Sequence, residues 1–170
     1  RHGSGSERRI TTMRSSAATV GTFVIVGQSR PTQRDLPASW YPRDVSAWIG
    51  QSFASIDLHG WVASWPADIT TGQQYVIFYG RACEHCEALL YSHFGMGARV
   101  PTTLVAVPET ANGFLEDGQL DHPCFDCAET RLVFGVDWII TTPLVIALED
   151  GIVRCAVEGE DPESPACLQW

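Results

Sequence analysis

The stretch Tyr75-Val76-Ile77-Phe78-Tyr79-Gly80-Arg81-Ala82-Cys83-Glu84-His85-Cys86 decides the fold. Its first five residues are apolar and β-forming in a continuous run, the pattern of a short strand buried on both faces of a parallel or mixed sheet. Gly80 to Ala82 turn the chain, and Glu84 to Phe94 carry a helical pattern with Ala88, Leu89 and Leu90 inside it. Strand, turn and helix follow one another without slack, which puts Cys83 at the start of the helix. Unpaired backbone N–H groups and the helix dipole favour a thiolate there, and the thiolate is the reactive form of cysteine. Cys86, one turn further in, is placed to attack a mixed disulfide intramolecularly. The spacing therefore separates the roles, with Cys83 as nucleophile and Cys86 as resolving thiol. His85 adds a cationic donor at the same helix start, whereas Glu84 opposes the thiolate if it turns inward. By its four letters alone the motif also reads as a structural disulfide or half of a zinc site.

Working outward, Thr102 to Val107 is a second buried strand, and Pro123 to Val136 is predicted as a second helix with Pro123 at its first position. Leu144 to Leu148 and Ile152 to Val157 form a hairpin around Glu149-Asp150-Gly151. Upstream, Phe53 to Leu58 reads as a strand, His59-Gly60 as a turn, and Trp61 to Trp65 as the returning arm of an N-terminal β-hairpin. The predicted order is β-hairpin, β, α, β, α, β, β. This is one α/β domain over residues 45–159, a central mixed sheet with flanking helices. Residues 1–44 read as an N-terminal extension whose part from Ser29 to Pro42 is a linker or wrapping segment, and residues 160–170 as a C-terminal tail. An apolar run at 17–27 follows Arg8, Arg9 and Arg14. Eleven residues fall short of the roughly 20 that span a membrane, so the run reads as an export signal, the stub of an anchor that would tether the chain, or an N-terminal strand.

Composition narrows the function. The chain has 170 residues and a net charge of −9, with 11 basic residues, all arginine. An acidic chain without a concentrated basic face is not a nucleic-acid binder. The absence of lysine removes P-loop phosphate binding and Schiff-base chemistry, which both need a primary amine. Six cysteines in near-sequence pairs point to an oxidising compartment. His59, His93 and His122 share no metal-ligand spacing, and no metal or cofactor is implied. The tryptophans read as packing residues, with Trp138 the one placed to line the site.

The run from Tyr75 to Cys86 resembles the central strand, active-site turn and helix of the thioredoxin superfamily. Thr142-Pro143-Leu-Val-Ile-Ala-Leu-Glu-Asp-Gly151 resembles its cis-proline strand and following hairpin. Ile49-Gly50-Gln51 and Ile56-Asp-Leu-His-Gly60 are similar to the bacterial extracytoplasmic subgroup that serves cytochrome c maturation and methylamine dehydrogenase biogenesis. The resemblance covers roughly residues 49–159. It implies a thioredoxin-like fold, thiol-disulfide oxidoreductase activity on a protein partner, a periplasmic or membrane-anchored location facing outward, and a cis Pro143 facing Cys83, with the Thr142 backbone pairing the partner's chain. Two positions depart from the family. Ala82 stands where the family has a tryptophan before the first cysteine, and Ile77 stands where cytosolic members keep a buried acid.

The second pair, Cys124-Phe125-Asp126-Cys127, has three readings: a structural disulfide, a second redox dithiol exchanging electrons with Cys83 and Cys86, or part of a four-cysteine zinc site with them. The relay reading expects this pair at the same sheet edge as Cys83. Cys155 and Cys167 flank an acidic tail and are the natural partners of a disulfide that ties the C-terminus to the last strand. The rival to an exchange enzyme is a redox-inert thioredoxin-like binding module whose cysteines are locked in disulfides or hold zinc.

Overall fold

The computed structural model describes residues 36–115 and 123–170. The apolar run at 17–27 and His122 lie outside the described residues. The elements in chain order are β1 (Ser39–Trp40), α1 (Asp57–Gly60), β2 (Gln73–Gly80), α2 (Glu84–Phe94), β3 (Thr102–Val107), β4 (Ala128–Arg131), β5 (Asp137–Trp138), β6 (Leu144–Glu149) and β7 (Ile152–Glu158), with two short 3-10 turns at Val45–Trp48 and Phe53–Ser55.

Five strands form the central sheet in the order β4-β3-β2-β6-β7. β3 runs parallel to β2 and β4 parallel to β3, while β6 is antiparallel to β2 and to β7. The middle strands are apolar through their central residues because both of their faces are covered. Tyr75, Ile77, Tyr79, Leu104, Ala106, Val145 and Ala147 point to one face, where α2 packs through Cys86, Leu89, Leu90 and Phe94. That i, i+3, i+4, i+8 spacing is one stripe of a helix. Val76, Phe78, Val105, Leu144, Ile146 and Leu148 point to the other face and meet Phe53, Leu58, Trp40, Trp61 and Trp138. Burying each such side chain contributes about 1.5–3 kcal/mol, so these two layers dominate the folding energy.

The β6–β7 hairpin turns at Asp150 and Gly151, with φ of 50° and 73°. Two successive residues in the left-handed region make the tight turn whose twist suits paired strands. A bulge then opposes Ala147 to Cys155 but Leu148 to Val153, leaving Arg154 as the extra residue. Arg154 points outward to Glu149 at 2.9 Å. The one-residue shift brings Cys155 and Val157 onto the α2 face while Val153 and Ala156 face the opposite core.

This strand order, with a helix leaving the central parallel strand and an antiparallel hairpin on its other side, is a thioredoxin-like fold. Two elements differ from the sequence reading. Residues 53–65 form a 3-10 turn and α1 instead of a β-hairpin. The buried residues here are Phe53, Ile56, Leu58 and Val62, and their uneven spacing does not keep the period-two alternation that a half-buried strand requires. The backbone at the start of this stretch is also claimed by the β6–β7 hairpin: Phe53 N–H donates to Gly151 O at 2.8 Å and, just upstream, Gly50 N–H to Val153 O at 2.8 Å. Residues 123–136 are not a helix. The chain makes a Cys124–Cys127 turn and then adds β4 to the open edge of β3, a pairing that Thr130 and the Gly135 bend favour over helix. α2 is thus the single long helix among the described residues. Residues 36–44 wrap the domain and do not hang from it: β1 pairs in parallel with β5, and Trp40 lies 5.6 Å from Trp61 and 5.9 Å from Trp138, ring centroid to centroid.

Candidate redox site

Cys83 is the N-cap of α2. Its backbone is extended (φ −97°, ψ 104°), and its sulfur accepts the Cys86 N–H at 3.1 Å. A cap of this kind normally takes an oxygen acceptor; here a sulfur fills the place and receives the helix's orphan donor. The Cys83 sulfur lies 3.6 Å from the carbonyl oxygen of Thr142, and the Thr142–Pro143 peptide bond is cis. Gly80 lies beside this approach: a Cβ there would stand in ordinary contact, at 3.4 Å, with both Cys83 Cβ and Thr142 Oγ1. Cys83 and Cys86 are joined as a disulfide. Cys83 is partly exposed and Cys86 is fully buried, so the first sulfur is the one a partner reaches.

Around the pair, Ala82 and His85 are exposed, which leaves the approach to Cys83 open on that side. Ile77 is fully buried beneath α2 and offers no proton. At the same end of β2, burial pushes the Tyr79 phenol up, Glu129 and Glu109 add to the rise, and Arg81 partly offsets it. Arg81 itself stacks over the Phe114 ring at 4.9 Å.

The second dithiol is elsewhere. Cys124 and Cys127 form their own disulfide. Ala128, directly after it, pairs with Thr103 at the start of β3, whereas Gly80 pairs with Val107 at its end. Asp126 accepts the Ala98 N–H at 2.9 Å, just past the C-terminus of α2. A helix of 11 residues spans roughly 16 Å at about 1.5 Å per residue, so Cys124–Cys127 and Cys83–Cys86 occupy opposite ends of α2. The shared edge expected for an electron relay or a four-cysteine zinc site does not exist in this arrangement. The reason is topological. The chain leaves β3 at the Cys83 end, and because β4 runs parallel to β3 it must enter β4 from the opposite end, where Cys124 and Cys127 stand. Cys124, Asp126 and Cys127 do place donor atoms within 4.8 Å of one another, but their two sulfurs are joined to each other.

Cys155 and Cys167 are also paired, and the tail carries on to stack Trp170 on Tyr75 at 5.4 Å. Trp138 lines no part of the site. It is buried in the tryptophan cluster on the sheet face opposite α2, where its indole N–H donates to Val133 O at 3.0 Å. His59 stacks on Trp65, and His93 contacts Pro162 O at 2.9 Å. The feature that sequence reasoning missed is Glu160, an acid only 3% exposed behind the Pro143 loop. It stands in an acidic stretch with Glu158, Asp161 and Glu163, and nothing local marks it as the buried one.

No protein-family model matches the chain, and no curated protein matches it. Among solved structures, the reduced form of the N-terminal domain of PilB from N. meningitidis is similar at 15% identity and a TM-score of 0.38, over 56% of this chain and 78% of that one.

Proposed function

We propose that this protein is a thiol-disulfide oxidoreductase that exchanges disulfides with a protein partner outside the bacterial cytoplasm, through Cys83. The observation that carries the reading is the position of the Cys83 sulfur, capped by the Cys86 N–H at 3.1 Å and facing the Thr142 carbonyl at 3.6 Å, with its resolving partner buried one turn behind. In the reductive direction the Cys83 thiolate attacks a partner disulfide, forming a mixed disulfide and expelling one partner thiolate, which takes a proton. The Cys86 thiolate then attacks the Cys83 sulfur, closes the Cys83–Cys86 bond and releases the second partner thiolate. Two electrons and two protons pass from the dithiol to the partner, and the reverse sequence oxidises a partner dithiol. Three disulfides in a chain without free described cysteines support an oxidising compartment.

A Cys86→Ser variant cannot complete the second step. Incubated with a disulfide-bearing protein, it should accumulate a covalent adduct that a reductant dissolves and that a Cys83→Ser variant does not form. Equal adduct in both variants, or none in either, would end this reading in favour of a redox-inert binding module.

A further inference from the structure

Loop 141–143, which carries Pro143, is held from behind by the C-terminal tail. Thr141 N–H donates to the Glu158 carboxylate at 2.9 Å, Gly159 N–H donates to Thr141 O at 3.3 Å, and Glu160 N–H donates to Pro143 O at 3.1 Å. The two residues that flank Thr142 are therefore tied down, while Thr142 itself turns its carbonyl to Cys83. Gly159 makes this crossing at φ 63°, in the left-handed region that favours glycine.

What fixes the tail at that point is the buried Glu160 side chain. One carboxylate oxygen accepts Ala166 N–H at 2.7 Å and the other accepts Cys167 N–H at 3.0 Å. The carboxylate thus folds residues 160–167 into a closed loop, and the Cys155–Cys167 disulfide staples the far side of that loop to β7. Hydrogen bonds to a charged acceptor are the stronger kind, and a carboxylate buried at 3% exposure persists only when its oxygens are satisfied in this way. A tail needed only to cover the α2 face would require none of these three contacts to loop 141–143.

We infer that Glu160, braced by the Cys155–Cys167 disulfide, is a positioning residue that holds the Thr141–Pro143 loop in register for the partner's chain. It touches neither the partner nor Cys83. The inference rests on the exchange reading above and says where its partner-binding precision comes from. It predicts a loss in partner recognition with the sulfur chemistry intact.

The test compares Glu160→Ala, Glu160→Gln and a Cys155→Ser/Cys167→Ser double variant with the parent protein. KM for a disulfide-bearing protein substrate should rise about tenfold in Glu160→Ala with kcat within about twofold, the pattern of a lost uniform-binding contribution. Glu160→Gln keeps one acceptor oxygen and should fall between the two, and the double cysteine variant should follow Glu160→Ala. Amide hydrogen exchange at Thr141 and Gly159, the donors that tie the loop to the tail, should speed up by about tenfold while the amides of β2 stay protected, a local opening and not a global one. An unchanged KM, or unchanged exchange at Thr141 and Gly159, in either Glu160→Gln or the double variant overturns the inference even if Glu160→Ala fails to fold. Failure of the exchange reading itself shows differently, as a parent protein whose reduced Cys83 resists alkylation.

Discussion

Cys83 and Thr142 face each other across the mouth of the site, sulfur to carbonyl oxygen at 3.6 Å, while the Cys86 N–H holds the same sulfur at 3.1 Å. The donor stabilises negative charge on the sulfur, and the carbonyl suits a protonated thiol, so the capped geometry serves both states of an exchanging cysteine. Cys83 is partly exposed and Cys86 fully buried. In the reduced protein, iodoacetamide should modify Cys83 at least about tenfold faster than Cys86. Peptide mapping at short reaction times measures the ratio, and equal labelling would mean that the helix start opens on reduction.

The Cys124–Cys127 disulfide, at the far end of α2, should be dispensable for exchange. Replacing both with serine removes a short covalent loop, whose closure stabilises by about 2 kcal/mol in the chain-entropy account. Unfolding in urea should show a loss of that order. Exchange by Cys83 and Cys86 should remain within about twofold of the parent. A large fall in exchange rate at temperatures where the variant is fully folded would restore the relay that the topology argues against.

The parts of the fold legible in the sequence are those whose pattern is set locally or by burial on both faces. β2 and β3 are apolar runs because a helix lies on one side and the tryptophan layer on the other, and α2 shows its stripe through Cys86, Leu89, Leu90 and Phe94. The dithiol at the helix start followed directly from these two elements. Residues 123–136 failed because β4 is an edge strand, mostly exposed or half-buried, whose conformation is imposed by the free edge of β3. The location of Cys124 failed with it, since a pair that precedes a strand parallel to β3 stands at the opposite end from Cys83, and a Cys-X-X-Cys spacing does not show that a strand follows. Glu160 was hidden for a related reason: its partners, Ala166 and Cys167 N–H, are backbone groups, and backbone groups leave no mark in a sequence.

Trp138 closes the face opposite α2. It is 8% exposed, with its ring edge-on to Trp40 and tilted against Trp61, and its indole N–H bonded to Val133 O. Trp138→Ala should destabilise the protein by about 3–5 kcal/mol, the range for truncating a buried large aromatic. Trp138→Phe keeps most of the packing and gives up the hydrogen bond, a net loss of roughly 1 kcal/mol beyond the volume change. Equilibrium urea unfolding reads both. Because this cluster lies behind the sheet, Cys83 alkylation in the folded state should be unchanged, and a matching loss of reactivity would show that the two faces are coupled.

His59 gives the stability a pH dependence whose sign is fixed by its surroundings. The imidazole stacks on Trp65 at 5.2 Å and 14° and meets the Phe53 ring edge-on at 5.1 Å. Burial among these rings pulls its pKa below the ordinary 6.5. The folded protein therefore holds the proton less well than the unfolded chain does. Where the unfolded chain is protonated and the folded one is not, each step down in pH favours unfolding. The contribution is complete above the unfolded value near 6.5 and is lost as the pH falls below it toward the folded value. Thermal unfolding followed from pH 7.5 to 5.5 should show the midpoint falling in the parent protein. His59→Phe keeps an aromatic ring on Trp65 but carries no proton, so its midpoint should fall less over the same interval, and parallel curves for the two proteins would show that the slope arises from other groups.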